Sequence, residues 1–238
     1  MTSVRYTQVI ATPCCGAHFL GPVYASINTS AREFWTDGYK HSSLAPIDGG
    51  LSRCSCGCYY LLSQSVDIDE QKIKGVPKAI YVDSNGLKQA LGQVFNKDVE
   101  LVIRRRYWWD LNHTYRALYR AHRDVENAAS AEEIRKKYNF VQKLWAKYVT
   151  KRPLTSSRSF TTPPFEPTVE QTENMERMID LLISQVHCDF QELAELYREL
   201  GQFDAAQKSI DNCINNTFPV RLINKLILEN NCSPMRFG

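Results

Sequence analysis

Thr12 to His18 reads T-P-C-C-G-A-H, and Arg53 to Tyr60 reads R-C-S-C-G-C-Y-Y. Two tight cysteine clusters therefore stand about forty residues apart, each with a glycine just after a cysteine. A thiolate is soft and anionic, so four of them suit Zn²⁺ and close its tetrahedral shell. Gly16 and Gly57 come where a metal knuckle needs positive φ or close backbone approach. Cys14, Cys15, Cys54 and Cys56 are the minimal four-thiolate set, with Cys58 and His18 as alternative ligands. The spacing is compressed: Thr12 stands where the outer cysteine of a C-x-x-C pair would stand. Against the metal reading, some of these cysteines would be free thiols packed as small hydrophobes. A disulfide between the adjacent Cys14 and Cys15 would be strained.

Strands must bring the two clusters together. Val4 to Ala11 is rich in β-branched residues and predicts a strand into the first cluster. Phe19 to Ile27 predicts a second strand, placed at an edge by Pro22. Tyr59 to Val66 predicts a strand leaving the second cluster. Between them W-T-D-G (Trp35 to Gly38) and I-D-G-G (Ile47 to Gly50) read as turns. A β module of about 70 residues has little core, so metal would supply much of its stability.

From Asp67 the pattern turns helical. Asp83-Ser84-Asn85 caps a helix carrying Leu87, Leu91, Val94 and Phe95. Asp98 to Ala128 predicts a long helix, and Ser130 to Glu133 caps another that runs to about Thr150. Lys151 to Thr168, with four prolines, reads as an exposed linker or loop. Thr172 to Gln185 is a helix by the spacing of Met175, Met178, Ile179 and Leu182. L-A-E-L-Y-R-E-L-G-Q-F-D-A-A (Leu193 to Ala206) is helix, turn at Gly201, helix, with small and aromatic residues placed as in one tetratricopeptide unit. A last helix starts at Phe218-Pro219, and Asn230 to Gly238 reads as a frayed tail. Cys188, Cys213 and Cys232 are packing cysteines.

The helix R-R-R-Y-W-W-D-L-N-H-T-Y-R-A-L-Y-R-A-H-R (Arg104 to Arg123) carries a second candidate surface. At about 100° per residue, Trp108, Leu111, Tyr115, Leu118 and His122 share the core-facing stripe. Arg105, Trp109, Arg116, Arg120 and Arg123 share an adjacent one. Guanidiniums around an indole grip an acidic surface, so these five and Trp35 are candidate partner-binding residues. The competing reading pairs the arginines internally with Glu192, Glu195 and Glu199.

The 238 residues are 43 % hydrophobic, enough for a core, and the net charge of +3 is too small to imply a polyanion partner by itself. Met1 to Leu20 lacks the pattern of a signal peptide, and no stretch approaches the ~20 apolar residues that span a bilayer. Eight cysteines without an export signal fit a reducing cytosol. There is no phosphate loop, G-x-S-x-G or H-E-x-x-H.

T-P-C-C-G-A, the W-T-D-G turn, L-S-R-C-S-C-G, R-R-R-Y-W-W-D-L-N and E-L-Y-R-E-L-G-Q-F-D-A-A together resemble a group of bacterial proteins. These join an N-terminal zinc-ribbon-like segment to a tetratricopeptide-like helical region. The resemblance implies a metal on the cysteines and no known enzymatic activity. It carries over no ligand-binding residues.

The expected fold is α+β: a zinc-ribbon-like β module over 1–70, then a mainly α-helical domain over 71–238 with a tetratricopeptide-like hairpin and the linker at 151–168. The expected function is that of a cytoplasmic, non-enzymatic zinc protein that binds another protein, such as an immunity protein that blocks a cognate toxin. The alternative is a nucleic-acid-associated regulator using the ribbon and the arginine stripe. No membrane partner is expected.

Overall fold

A computed structural model describes residues 3–26, 33–41, 50–68, 75–93, 96–150 and 162–237. Val94 and Phe95 of the first predicted helix, Ile47 to Gly49 of the I-D-G-G turn, and 151–161 of the expected linker lie outside them. The chain divides into two compact units: Met1–Leu111 with Pro167–Gly238, and Asn112–Glu166. The fold is mixed α+β, with small antiparallel sheets and several helices.

In the first unit, β1 (Ser3–Ala11) and β2 (His18–Ser26) form a hairpin. Short strands follow: β3 (Glu33–Trp35), β4 (Lys40–His41), β5 (Leu51–Arg53), β6 (Tyr59–Leu61), β7 (Val66–Ile68) and β8 (Ile80–Tyr81). The expected single strand from Tyr59 to Val66 is broken by a 3₁₀ turn over Leu62–Gln64. Gln64 causes this: its side chain accepts from Leu61 N–H and closes the turn. One sheet has the order β2-β1-β7, which leaves β2 at an edge, as Pro22 requires. Another has the order β6-β5-β8. Backbone bonds from Leu20 to Pro77 and from Ala79 to Leu20 tie β2 to the chain entering β8.

Helix α1 (Ser84–Ala90) is capped by Asp83, whose side chain accepts from Gly86 N–H. With α2 (Lys97–Leu111), it covers β5 and β6 through Leu51, Tyr59, Leu87, Val99, Ile103 and Tyr107. Helix α2 also packs on α5 (Val169–Ile183) and α6 (Phe190–Glu199), burying Trp108, Met175, Met178, Leu182 and Leu196. Gly201, at φ +72°, turns the chain into α7 (Phe203–Asp211). There Ala194 and Ala206, both fully buried, let the helices approach, and α8 (Phe218–Leu228) closes this core with Val220, Ile223 and Ile227. The tail is not frayed. Its β9 (Arg236–Phe237) pairs with β3, and Thr36 and Met235 exchange two hydrogen bonds.

The second unit holds α3 (His113–Lys137) and α4 (Phe140–Trp145), the latter followed by a π-helical turn over Ala146–Thr150. The predicted helix over 98–128 is thus two helices, separated at Asn112. That residue is buried, with ψ −5°, and its short polar side chain favours caps and turns over helix interiors. Ser130 does not start a new helix, because the alanines around it favour continuation. The cap comes at Asn139, which forms a reciprocal capping box with Gln142. Residues 162–166 are packed in part: the buried Pro163 accepts through its O from Tyr115 Oη at 3.1 Å and the half-buried Phe165 ring meets Tyr115 edge-on at 5.0 Å, while Pro164 and Glu166 are exposed.

Candidate metal centre

The β1–β2 and β5–β6 hairpins each end in a cysteine-bearing tip. Between β1 and β2, Thr12 N–H donates to Ala17 O and Gly16 N–H to Thr12 O. Between β5 and β6, Cys54 N–H donates to Cys58 O and Gly57 N–H to Cys54 O. Gly16 (φ +68°) and Gly57 (φ +93°) sit in the left-handed region, which turns each tip so that its thiols project to one side. Between the hairpins lie Ile10, Phe19, Cys54, Tyr60 and Ala79, a small apolar cluster that fixes their mutual placement.

The sulfurs of Cys14, Cys15, Cys54 and Cys56 all lie within 4.8 Å of one another. The closest pairs cross between the tips: Cys15 to Cys54 at 3.3 Å and Cys14 to Cys56 at 3.4 Å. A Zn–S bond of about 2.3 Å gives a tetrahedral edge of about 3.8 Å, so these separations bracket what four thiolates around one ion require. The structure thus brings together the four residues named from the sequence. His18 and Cys58 are exposed and outside the group. Thr12 is buried, with Oγ1 at 3.6 Å from Cys15 Sγ and 3.5 Å from Cys54 Sγ, on the inner side where an outer cysteine would stand.

The sulfurs do not share one protonation tendency. Burial raises the Cys54 thiol, but hydrogen bonds from Thr12, from the Cys56 backbone and from Cys15 outweigh it and bring it down to about 6. Cys14 is pushed up to about 12, by burial first and then by its hydrogen bond with Cys56. Like charges so close cannot all ionise unless a cation replaces the protons. The donor set fits a divalent, thiophilic metal, which would be held by two residues from each hairpin and would lock the tips together. Four thiolates leave no open position, so such a metal supplies structural cohesion.

The other candidate residues fall elsewhere. Three consecutive arginines on α2 point in three directions, as about 100° per residue dictates. Arg104 reaches Glu100 and Asn174, Arg105 grips Glu192 through bonds of 2.5 and 2.6 Å, and Arg106 donates to Val82 O. Trp109 Nε1 donates to Asp37 O in the W-T-D-G turn at 2.8 Å, and Trp35 is buried, donating to Glu33. Arg105, Trp109 and the turn after Trp35 thus line one cleft of about 330 Å³, together with Asp189 and Glu192. Its acids are engaged: Asp189 caps Glu192 N–H and Asp37 accepts from Tyr39 N–H. Arg116, Arg120 and Arg123 lie on α3, where Arg116 is buried, Arg120 half-buried and Arg123 exposed. The five arginine-stripe residues therefore do not lie on one continuous helix, since Arg105 and Trp109 are on α2 and the other three on α3.

Sequence reasoning missed the buried polar pair behind the cleft. Arg198, fully buried, holds Glu195 at 2.5 and 2.8 Å and also donates to Asn231 O. Glu199 accepts from Trp108 Nε1 at 2.8 Å, and burial, then the charges of Glu195 and Asp37, hold its carboxyl well above the usual range. The available signal was the E-L-Y-R-E spacing, which puts Glu195, Arg198 and Glu199 on one helix face.

No protein-family model, curated protein or solved structure matches this chain.

Proposed function

We propose that the chain is a non-enzymatic zinc protein in which Cys14, Cys15, Cys54 and Cys56 hold one Zn²⁺ as a ribbon-like clasp, and that the clasped molecule presents a surface to another protein. The convergence of four sulfurs from two hairpin tips within 4.8 Å carries the metal part. A filled four-thiolate shell supports a structural role over a catalytic one. The α6–α7 pair, with buried alanines at its crossing, supports a tetratricopeptide-like hairpin of the kind used in protein recognition. An inhibitor of a cognate toxin is one form such a protein takes.

Elemental analysis of full-length protein purified without added metal tests the first part, with about one zinc per chain expected. A well-folded preparation free of metal, and unable to take up Zn²⁺, would sink it. For the partner surface, Arg123→Glu is the informative charge reversal, because Arg123 is exposed, whereas reversing the buried Arg116 reports only stability. A cognate partner whose affinity survives Arg123→Glu is not bound through that face of α3.

A further inference from the structure

The second unit differs in charge from the rest of the chain. Asn112–Glu166 holds eleven Lys and Arg against five Asp and Glu, while the remainder holds eighteen against twenty-one. Within this basic unit α4 and the turn after it form an amphipathic segment with exposed apolar side chains. Phe140, Val141, Trp145 and Tyr148 are 59–73 % exposed. At about 100° per residue Phe140, Val141 and Trp145 of α4 cover an arc of about 140°, with Gln142 and Lys143 on the other side. Lys147 Nζ stands 5.0 Å from the Tyr148 ring centroid, and Lys137 Nζ 5.5 Å from that of Tyr138. Both ammonium groups thus lie over aromatic rings.

We propose that this face lies on an anionic phospholipid surface. Two observations favour a bilayer over a macromolecule. Trp, Tyr and Phe have a ring type suited to the boundary between headgroup and acyl chain. The apolar arc is broad, because Phe140 and Val141 are neighbours about 100° apart; that fits a plane better than a narrow groove. The surplus cationic charge of the whole unit supplies long-range attraction to anionic headgroups. Among the described residues no helix is long and apolar enough to cross a membrane. The expectation of no membrane partner rested on that criterion, which does not address a segment lying on the surface.

The test uses full-length protein with extruded vesicles of equal parts phosphatidylglycerol and phosphatidylcholine, and separately with phosphatidylcholine alone. Binding is read by co-sedimentation and by the tryptophan emission shift. Anionic vesicles should bind at least about tenfold more tightly than neutral ones, and raising the salt should weaken the binding. Phe140→Glu with Trp145→Glu should weaken it by a further factor of about ten or more, since two exposed apolar groups leave the contact. Lys143→Glu with Lys147→Glu should also weaken it, and provides a second probe should the first variant fold poorly. Zinc content should be unchanged in both, so failure here is separable from failure of the metal reading. Absence of binding to anionic vesicles overturns the proposal, as does undiminished binding by both variants. Retention on polyglutamate or duplex DNA without vesicle binding overturns it in favour of a macromolecular anion.

Discussion

The cysteine tips and the polar network between α2 and α6 both crowd chemistry-bearing side chains into a small volume, and they resolve the crowding in opposite ways. Behind α2, charges meet within the chain: Arg105 with Glu192, Arg198 with Glu195, Trp108 with Glu199. At the tips, four thiols face one another, and a weak S–H donor does little to offset their proximity. A region that is complete without a ligand holds structure. A region whose groups become mutually favourable only around a cation marks a binding site. Residue type alone does not separate the two; the sign of the charges that converge does.

The largest effect should come from breaking the tips. Cys54→Ser removes a sulfur that faces both the metal group and the apolar cluster of Ile10, Phe19 and Tyr60. It should abolish stoichiometric zinc and cost on the order of 5 kcal/mol, since structural zinc energy is folding energy. At about 2–4 °C per kcal/mol, the thermal midpoint should fall by about 10–20 °C. Calorimetry with and without a chelator checks this: chelation should reproduce the loss in the wild type and add nothing to the variant.

Glu195→Gln should come next. It leaves the Arg198 guanidinium buried without its carboxylate, a situation that costs about 3 kcal/mol. Zinc content should not change. Chemical denaturation gives the loss, and an effect below about 1 kcal/mol would mean that the network is looser than its short distances imply.

The sequence disclosed the tips and, in the internal pairing of the arginines, the Arg105–Glu192 contact, but not the contacts of Arg198 and Glu199, for a physical reason. Metal ligands come in close pairs with a fixed local geometry, so C-C-G and C-S-C-G carry their meaning within a few residues. The arginine run carries none locally, because its three members reach α5, α6 and the chain before α1. Element types were legible through period and caps, as Asp83 shows for α1. The break at Asn112 was not, since apolar spacing continues across it. The pairing of β9 with β3 was equally hidden: strands of two and three residues hold too little pattern to announce a contact so distant in sequence.

Glu199→Gln probes the network from its protonation side. The folded protein holds this proton to higher pH than the unfolded chain, whose glutamates titrate near about 4.3. Its contribution to stability is therefore full below that value and declines as pH rises toward the folded pKa. A glutamine accepts the same Trp108 hydrogen bond and never ionises. The variant should match the wild type below about pH 4 and exceed it by a margin that grows as pH rises from there toward the folded pKa. Differences between the two proteins at each pH cancel any common effect of metal loss. A wild type more stable than the variant at pH 8 would show that the ionised carboxylate is what the fold requires.

Cys58→Ser should have the smallest effect, and it is the sharpest test of where the metal site ends. Cys58 lies two residues beyond Cys56 and is exposed, so sequence spacing alone leaves it a fair competitor as ligand. Its backbone carbonyl closes the tip by accepting from Cys54 N–H at 2.8 Å, and serine preserves that bond. Its sulfur, however, is outside the four that converge. Stability should therefore change by less than about 0.5 kcal/mol, the usual range for an exposed substitution, and zinc should stay at one per chain. A competition titration against a chromophoric chelator measures both stoichiometry and affinity. If Cys58→Ser loses zinc while Cys14→Ser retains it, then the second tip binds through Cys54, Cys56 and Cys58 together. The two tips would then contribute unequally, three thiolates from one and one from the other.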